Sequence, residues 1–179
     1  KLSLWVILGS SHRLTGRHKP HNSLYVINNR GRIINRYDKM FCTTGDLVHY
    51  TPASHFCVFN IQAVRCGALI CHDYRYDELI VIEKHGVQLL FHSYHTAHGK
   101  SRSRCNIHGA LVATTMQTYA ANNAMWISAN NSCRKWSSWP SFAVYPDGMM
   151  AGKLVCHKTG VLITCVDTQR TFYDASRAC

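Results

Sequence analysis

Acidic residues are scarce in this sequence. Aspartate and glutamate together number 9, against 20 lysines and arginines, which gives a formal net charge of +11 at pH 7. Such an excess of positive charge suits a nucleic-acid or anionic-surface partner. The basic residues are scattered, however, and no stripe of alternating basic and aromatic residues is present. The charge therefore favours a solvated basic surface over a nucleic-acid-binding face.

Long apolar runs and regularly spaced cysteine pairs are also missing. No uninterrupted apolar run approaches the roughly 20 residues of a membrane-spanning helix, so we expect no membrane contact. The 9 cysteines are odd in number, and no two of them have the C-x-x-C spacing. The sequence therefore favours reduced thiols in a cytoplasmic protein over a disulfide-linked secreted scaffold.

The pattern of apolar residues predicts one layered α/β domain. The chain has 179 residues, of which 46% are apolar, and this is enough for a single core. Two predicted helices, Asp77–His85 and Asn106–Ala121, interrupt a series of strands, and Thr43–Ser54 is predicted as a loop. The strands are predicted at Leu4–Leu8, Ser23–Ile27, Arg32–Tyr37, Phe56–Ile61, Val64–Ile70, Val87–Phe91, Met125–Ser128, Phe142–Tyr145, from Met149 onward, and at Val161–Val166.

The stretch CGALICHDYRYDE ends an apolar strand on Cys71 and then turns polar at once. A strand-to-helix junction exposes a side chain at the edge of a sheet and aims backbone N–H groups toward it. A helix N-terminus and a nearby ammonium group also favour the thiolate, which is the nucleophilic form of cysteine. Because a cysteine at a strand end is often an ordinary core residue, position alone makes Cys71 a candidate nucleophile and no more.

A lysine in a fixed order with this cysteine makes the pattern more specific. Lys39 follows the second strand of a predicted hairpin, and such a lysine alone would be an ordinary solvated charge. Together with Cys71 and the segments that follow, Lys39 gives an order of motifs that resembles the nitrilase (carbon–nitrogen hydrolase) superfamily. The resemblance covers nearly the whole chain, from Trp5 to Asp167. The matching segments are RYDKMF, the spaced set Gly67, Cys71, Asp73, Arg75, Tyr76 and Glu78, GVQLLFHSYH, ANNAMWISANNS and WPSFAVYPDGMMAG.

This resemblance implies a fold, a reaction and a set of catalytic residues. The fold is an αββα sandwich with mixed sheets, and the reaction is hydrolysis of non-peptide C–N bonds in amides or carbamoyl groups, and less often in nitriles. The family uses a Glu-Lys-Cys triad and no cofactor. Cys71 would be the nucleophile, Lys39 would stabilise the tetrahedral intermediate, and the backbone N–H of His72 would be a second oxyanion donor.

The family's catalytic glutamate has no match in the chain, whose first acidic residue is Asp38. We expect that glutamate upstream of Lys1, so residues 1–179 would be a single carbon–nitrogen hydrolase domain without its N-terminal segment. Between the lysine and the cysteine, where many members carry a second glutamate, this chain offers only Asp46. The alternative is a non-catalytic relative that is retained for binding or assembly. In either case the resemblance implies a homo-oligomer, a dimer or larger.

The substrate pocket is predicted to include residues that follow two strands of the sheet. His92, Tyr94 and His95 come after one strand, and Asn131 and Trp139 follow another. We expect them to line the pocket for a small amide or a related substrate. A zinc site at His92, His95 and His98 is the alternative, because imidazole is a common zinc ligand. We favour a pocket without metal, since thiol-based hydrolysis of this type needs none.

Overall fold

A computed structural model describes residues 3–14, 16–76, 85–97 and 105–174. The elements, in chain order, are β1 (Val6–His12), β2 (His21–Ile27), β3 (Ile33–Asp38), α1 (Thr44–His49), β4 (Val58–Ile61), β5 (Val64–Ile70), a short 3-10 helix (Cys71–Arg75), β6 (Leu89–Ser93), α2 (Cys105–Asn123), β7 (Trp126–Asn130), β8 (Phe142–Val144) and β9 (Met150–Lys153).

The first three strands form an antiparallel sheet in the order β1-β2-β3. The side chain of Asn28 accepts the backbone N–H groups of Arg30 and Arg32, and Gly31 takes a positive φ of 77° to close the turn between β2 and β3. This is the turn chemistry that Asn and Gly favour in hairpins. The predicted hairpin is confirmed, and its second strand delivers Lys39.

The remaining strands form a six-stranded sheet in the order β4-β5-β6-β7-β8-β9. The three central strands, β5, β6 and β7, are parallel, and the outer pairings are antiparallel. Carboxyl ends of parallel strands meet at one edge of a sheet, where ligands bind in open α/β sheets. Cys71, Tyr94 and Asn131 follow these three ends directly.

Two apolar clusters hold the layers together. Between the sheets, Val26 and Tyr37 of the three-stranded sheet pack with Phe59 and Ala68 of the six-stranded sheet. On the opposite face of the larger sheet, α2 buries its apolar side chains against the strands. Helix, sheet and sheet therefore follow one another, in agreement with the predicted α/β sandwich with mixed sheets. Within the described ranges no helix is long and apolar enough to cross a membrane.

Two predicted elements differ from the structure in kind. The predicted loop at Thr43–Ser54 contains α1, because Thr43 and Asp46 form a reciprocal capping box that starts a helix. The predicted strand Val161–Val166 is wrong. Its residues alternate between outward-facing side chains, such as Ile163, and side chains turned toward the sheet, but no strand is assigned there. The predicted helix Asp77–His85 lies outside the described residues, except for His85.

Candidate active site

Cys71 lies where β5 ends and the 3-10 helix begins, at the edge formed by the parallel strands. Its backbone has φ of 49°, a left-handed conformation that residues with a Cβ adopt at a cost. The side chain is partly exposed, and its Sγ lies 3.8 Å from the carbonyl oxygen of His95. The 3-10 helix that follows has only five residues, so its dipole gives a thiolate little support.

Lys39 is buried, with 2% of its surface exposed, although it follows directly after β3. Its ammonium donates a hydrogen bond of 2.5 Å to the carboxylate of Asp46 in α1. The same carboxylate accepts the backbone N–H of Thr43. Burial acts to raise the pKa of Asp46, but the Lys39 and Thr43 donors outweigh it and hold this pKa below its ordinary value. Asp46 is therefore the ionised partner of a buried cation.

The positive charge of Lys39 acts on residues on both sides of Cys71. Burial, the Arg75 guanidinium and the Lys39 ammonium lower the pKa of His72, which follows the cysteine. Burial also lowers the pKa of His92 to about 4, and Lys39 contributes in the same direction. His92 in turn lies 3.1 Å from the carbonyl oxygen of Cys71. The structure thus brings Lys39 into the surroundings of the Cys71 turn.

Asp73 is fully buried and connects the two loops that carry Lys39 and Cys71. Its Oδ2 accepts the hydroxyl of Tyr37 at 2.7 Å and the backbone N–H of Ile70 at 3.0 Å. Its Oδ1 accepts the backbone N–H of Phe41 at 2.9 Å. Burial raises the pKa of Asp73 above its ordinary value in spite of these donors. Because both oxygens are occupied, Asp73 is poorly placed to act as a general base.

Two of the residues predicted to line the pocket are buried beneath the site instead. His92 has no exposed surface, and its ring stacks on that of Tyr94 at 5.2 Å between centroids. The Tyr94 hydroxyl donates to the carbonyl of Pro140 at 2.6 Å. Strand β6 continues to Ser93, two residues beyond its predicted end, so the alternation of side chains turns Leu90, His92 and Tyr94 toward the face that α2 covers. In this structure His92 and Tyr94 are therefore buried and pack beneath the loops at this edge of the sheet.

The other predicted pocket residues lie nearer the surface. His95 is exposed, and its backbone carbonyl is the one beside the Cys71 thiol. The Asn131 amide donates to the carbonyl of Trp139 at 2.7 Å and to Thr96 Oγ1 at 3.2 Å. Asn131 therefore ties the loop after β7 to the loop after β6. The backbone N–H of His72 belongs to the first turn of the 3-10 helix, where N–H groups have no partner within the helix.

Trp139 is partly buried and lies between α2 and the end of β9. A Cβ added at Gly109 of α2 would come within 2.8 Å of both Ser138 O and Trp139 Cβ. On the other side, the Lys153 ammonium lies 5.2 Å from the Trp139 ring centroid. The close approach of α2 at Gly109 therefore sets the position of the Ser138–Trp139 loop.

A cavity of about 560 Å³ lies away from Cys71. It lies on the face of the larger sheet that is lined by residues such as Phe91 and Trp126, and the extended segment at Leu162 forms its other wall. Among the residues that the structure describes, no group of three histidine, cysteine or acidic side chains could hold a metal ion. His98, the third residue of the alternative zinc site, lies outside the described ranges.

Sequence reasoning noted Asp46 but missed its contact with Lys39. The signal was the spacing of Thr43 and Asp46 in TTGD, which is a capping-box pattern that starts a helix. Such a helix fixes the carboxylate within reach of Lys39, seven residues earlier in the chain.

Together the fold and this edge of the sheet define a class of protein: an α/β sandwich with a cysteine at a strained turn and a buried lysine near it. The carbon–nitrogen hydrolase family model matches residues 1–172, so the chain belongs to the carbon–nitrogen hydrolase family. No sequence in a curated set of proteins matches the chain closely enough to count as a relative.

Several solved structures share the fold. The glutamine-dependent NAD+ synthetase from Acinetobacter baumannii superposes with a TM-score of 0.75 at 14% identity, over 88% of this chain and 30% of that one. A mutant amidase from Nesterenkonia sp. AN1, with an acetamide moiety from fluoroacetamide on its active-site cysteine, gives 0.74 at 15% identity, over 86% and 58%. Nit3 from Saccharomyces cerevisiae, of branch 10 of the nitrilase superfamily, gives 0.74 at 15% identity, over 86% and 56%. The chain thus spans between 30% and 58% of the length of these proteins.

Proposed function

We propose that this chain provides the thiol nucleophile of an enzyme that hydrolyses non-peptide C–N bonds, with a carboxamide or carbamoyl compound as its small-molecule substrate. The observation that carries the proposal is a partly exposed Cys71 at a left-handed turn, together with a buried Lys39 whose charge acts on the neighbouring His72 and His92. A backbone held in a costly conformation at a functional turn is a recurrent feature of active sites. Membership of the carbon–nitrogen hydrolase family supports the same reaction class.

The reaction has two stages. The Cys71 thiolate attacks the carbonyl carbon, a C–S bond forms, and the carbonyl electron pair moves to oxygen. The tetrahedral intermediate then collapses, the C–N bond breaks, and the nitrogen leaves as ammonia or an amine after it has gained a proton. Water attacks the resulting thioester, which releases the carboxylic acid and returns the thiol. No cofactor takes part in these steps.

Lys39 and the backbone N–H of His72 supply the positive environment for the oxyanion. Donors placed about 3 Å from the developing charge, in a site without bulk water, stabilise the transition state strongly. The ion pair with Asp46 supports this role, because it holds the buried Lys39 ammonium in one place. The low pKa of Asp46 makes it a poor proton acceptor, so it serves as an anchor for Lys39.

The proposal is tested by ammonia release from a panel of carboxamides, ureides and nitriles. We expect turnover that Cys71→Ala abolishes, whereas Cys133→Ala, which removes another thiol that is exposed, leaves it unchanged. Intact-mass analysis after treatment with fluoroacetamide should show one adduct, in which the Cys71 sulfur has displaced fluoride. Equal turnover by the Cys71→Ala variant would contradict the mechanism.

The second candidate is a non-catalytic member of the family that binds a ligand or assembles. The observation in its favour is that two carboxylates around the Lys39 and Cys71 loops are both engaged, Asp46 by Lys39 and Asp73 by three donors. Neither is free to take the proton from the thiol. Binding of a carboxamide without any ammonia release, by a chain in which Cys71 is alkylated readily, would favour this candidate.

A further inference from the structure

We propose that Asp73 is a positioning residue that holds Cys71 and Lys39 in a fixed relation to each other. The inference rests on the proposed function, in which these two side chains react with the substrate. It assigns to Asp73 no contact with the substrate and no proton transfer. Its role is to join two loops that come from different sheets.

The three donors to Asp73 bracket both reacting residues along the chain. Tyr37 and Phe41 lie two residues before and two residues after Lys39, and both donate to this one carboxylate. Ile70 directly precedes Cys71, and its backbone N–H also donates to the Asp73 carboxylate. Asp73 itself lies two residues after Cys71. Each reacting residue is thus flanked on both sides by positions that this carboxylate fixes.

The chemistry of the site requires a carboxylate. A hydroxyl and two backbone N–H groups all approach Asp73 as donors, and an ionised carboxylate offers acceptor sites on both oxygens. The side chain is fully buried, so water cannot replace a lost acceptor. An asparagine has one acceptor oxygen, and its NH2 group would face either Phe41 N–H or Ile70 N–H. In both orientations at least one backbone donor would lose its partner.

A loose connection between the loops would change the chemistry more than the fold. An oxyanion donor works only when it lies about 3 Å from the developing charge, and a displacement of about 1 Å can cost about 100-fold in rate. Asp38 offers a matched comparison, since it too is a buried aspartate with several donors. Its side-chain donors, Ser23 and Arg36, belong to the three-stranded sheet alone, so Asp38 does not join the two loops.

The test measures how strongly Lys39 acts on Cys71, independently of turnover. Iodoacetamide alkylation of Cys71 at pH 7 is followed by mass mapping, with the exposed Cys133 as the internal reference. An ammonium near a thiol favours the reactive thiolate, so we expect Lys39→Met to slow alkylation about tenfold in the unaltered background. In the Asp73→Asn background the same change should have less than about a twofold effect. In the Asp38→Asn background it should keep its full effect.

Hydrogen exchange by NMR gives the structural readout. Asp73→Asn should speed the exchange of the Phe41 or Ile70 amide by about tenfold or more, as expected for a lost buried hydrogen bond, whereas Asp38→Asn should leave both within about twofold. If Asp73→Asn does not fold, Tyr37→Phe replaces it, because this variant removes one donor and keeps the carboxylate. It should reduce the effect of Lys39→Met by at least about twofold.

The outcomes separate this inference from the proposed function. An equal effect of Lys39→Met in the unaltered and Asp73→Asn backgrounds would overturn the positioning role and leave the proposed hydrolysis intact. Unchanged exchange at both amides would overturn it too. If Lys39→Met had no effect in any background, Lys39 would not act on Cys71, and the positioning role and the proposed part of Lys39 in catalysis would fall together.

Discussion

The two sheets of this chain each contribute one of the candidate reacting residues, and they hold it in different ways. The three-stranded sheet brings Lys39 to the site through an antiparallel hairpin, and a side-chain ion pair with Asp46 then holds the ammonium. The six-stranded sheet brings Cys71 to the end of a parallel strand that is buried on both faces, and the backbone of the turn sets its position. The position of the Lys39 ammonium therefore depends on its side-chain partner, whereas the position of Cys71 depends on the backbone of the sheet and the turn.

Removing the lysine is the largest expected disruption of this arrangement. Lys39→Met keeps much of the side-chain volume but removes the proposed oxyanion donor, and such a donor is typically worth about 10² to 10³ in turnover. It also leaves the Asp46 carboxylate without its cation. We expect ammonia release to fall at least about 100-fold, with a much smaller change in KM. Lys153→Met, which removes a cation that stacks on Trp139, is the control. A comparable loss in both variants would point to net charge as the cause.

His92, in the six-stranded sheet, should make the free energy of unfolding depend on pH. The pKa of His92 is lowered from 6.5 to about 4 by burial, so the unfolded chain binds this proton before the folded chain does. The free energy of unfolding should therefore fall as the pH falls from about 6.5 to about 4, by about 3 kcal/mol for this group. Chemical denaturation across this pH range measures it.

The control for this prediction is His92→Gln, which keeps an N–H donor for the Cys71 carbonyl and does not titrate. The variant should lose the His92 contribution, so the difference between the two pH profiles isolates it from other groups, such as Asp73. Parallel profiles for the two proteins would show that His92 does not titrate in this way.

A third change tests how tightly α2 packs on the larger sheet. Gly109→Ala would place a methyl group 2.8 Å from the backbone oxygen of Ser138, and backbone atoms give way poorly. Overpacking of this kind typically costs about 1–3 kcal/mol, and it should also move Trp139. Thermal unfolding together with tryptophan fluorescence measures both effects. His108→Ala, on the exposed side of α2, should leave both unchanged. A fluorescence change in this variant as well would show that the contact between Gly109 and Trp139 is not the cause.

The smallest effect is expected on the outer face of the three-stranded sheet. Leu8 of β1 is half exposed, and surface substitutions away from buried features usually change stability by less than about 0.5 kcal/mol. Leu8→Thr should therefore be nearly neutral in denaturant unfolding. A loss of more than about 2 kcal/mol would mean that this face is covered in the folded protein in solution.

The same difference between the sheets explains what could be predicted from the sequence. The Asn28–Gly31 turn and strand Val64–Ile70 were predicted correctly, because turn chemistry and an apolar run are local signals. The face to which a side chain points depends on where a strand ends, and the predicted end of β6 came two residues early. As a result His92 and Tyr94 were placed in the pocket, although they alternate with Leu90 toward α2.

Residues that act through distant contacts were harder to predict. The order of Lys39 and Cys71 was visible in the sequence, but nothing local shows that Asp73 joins residues as far away as Tyr37, 36 positions earlier. The strand predicted at Val161–Val166 failed for a related reason. Its alternation was real, but a strand also needs a neighbouring strand for its backbone, and a sequence pattern does not supply one.

The left-handed backbone of Cys71 implies a trade-off between stability and activity. Only glycine accepts a φ of 49° without penalty, and other residues forgo about 1–2 kcal/mol there. Cys71→Gly should therefore make the fold more resistant to heat, if the loss of packing of one small side chain is less than the relief of the backbone. Under the proposed function, the backbone cost at this turn is a loss of stability that is retained for the chemistry of the Cys71 thiol.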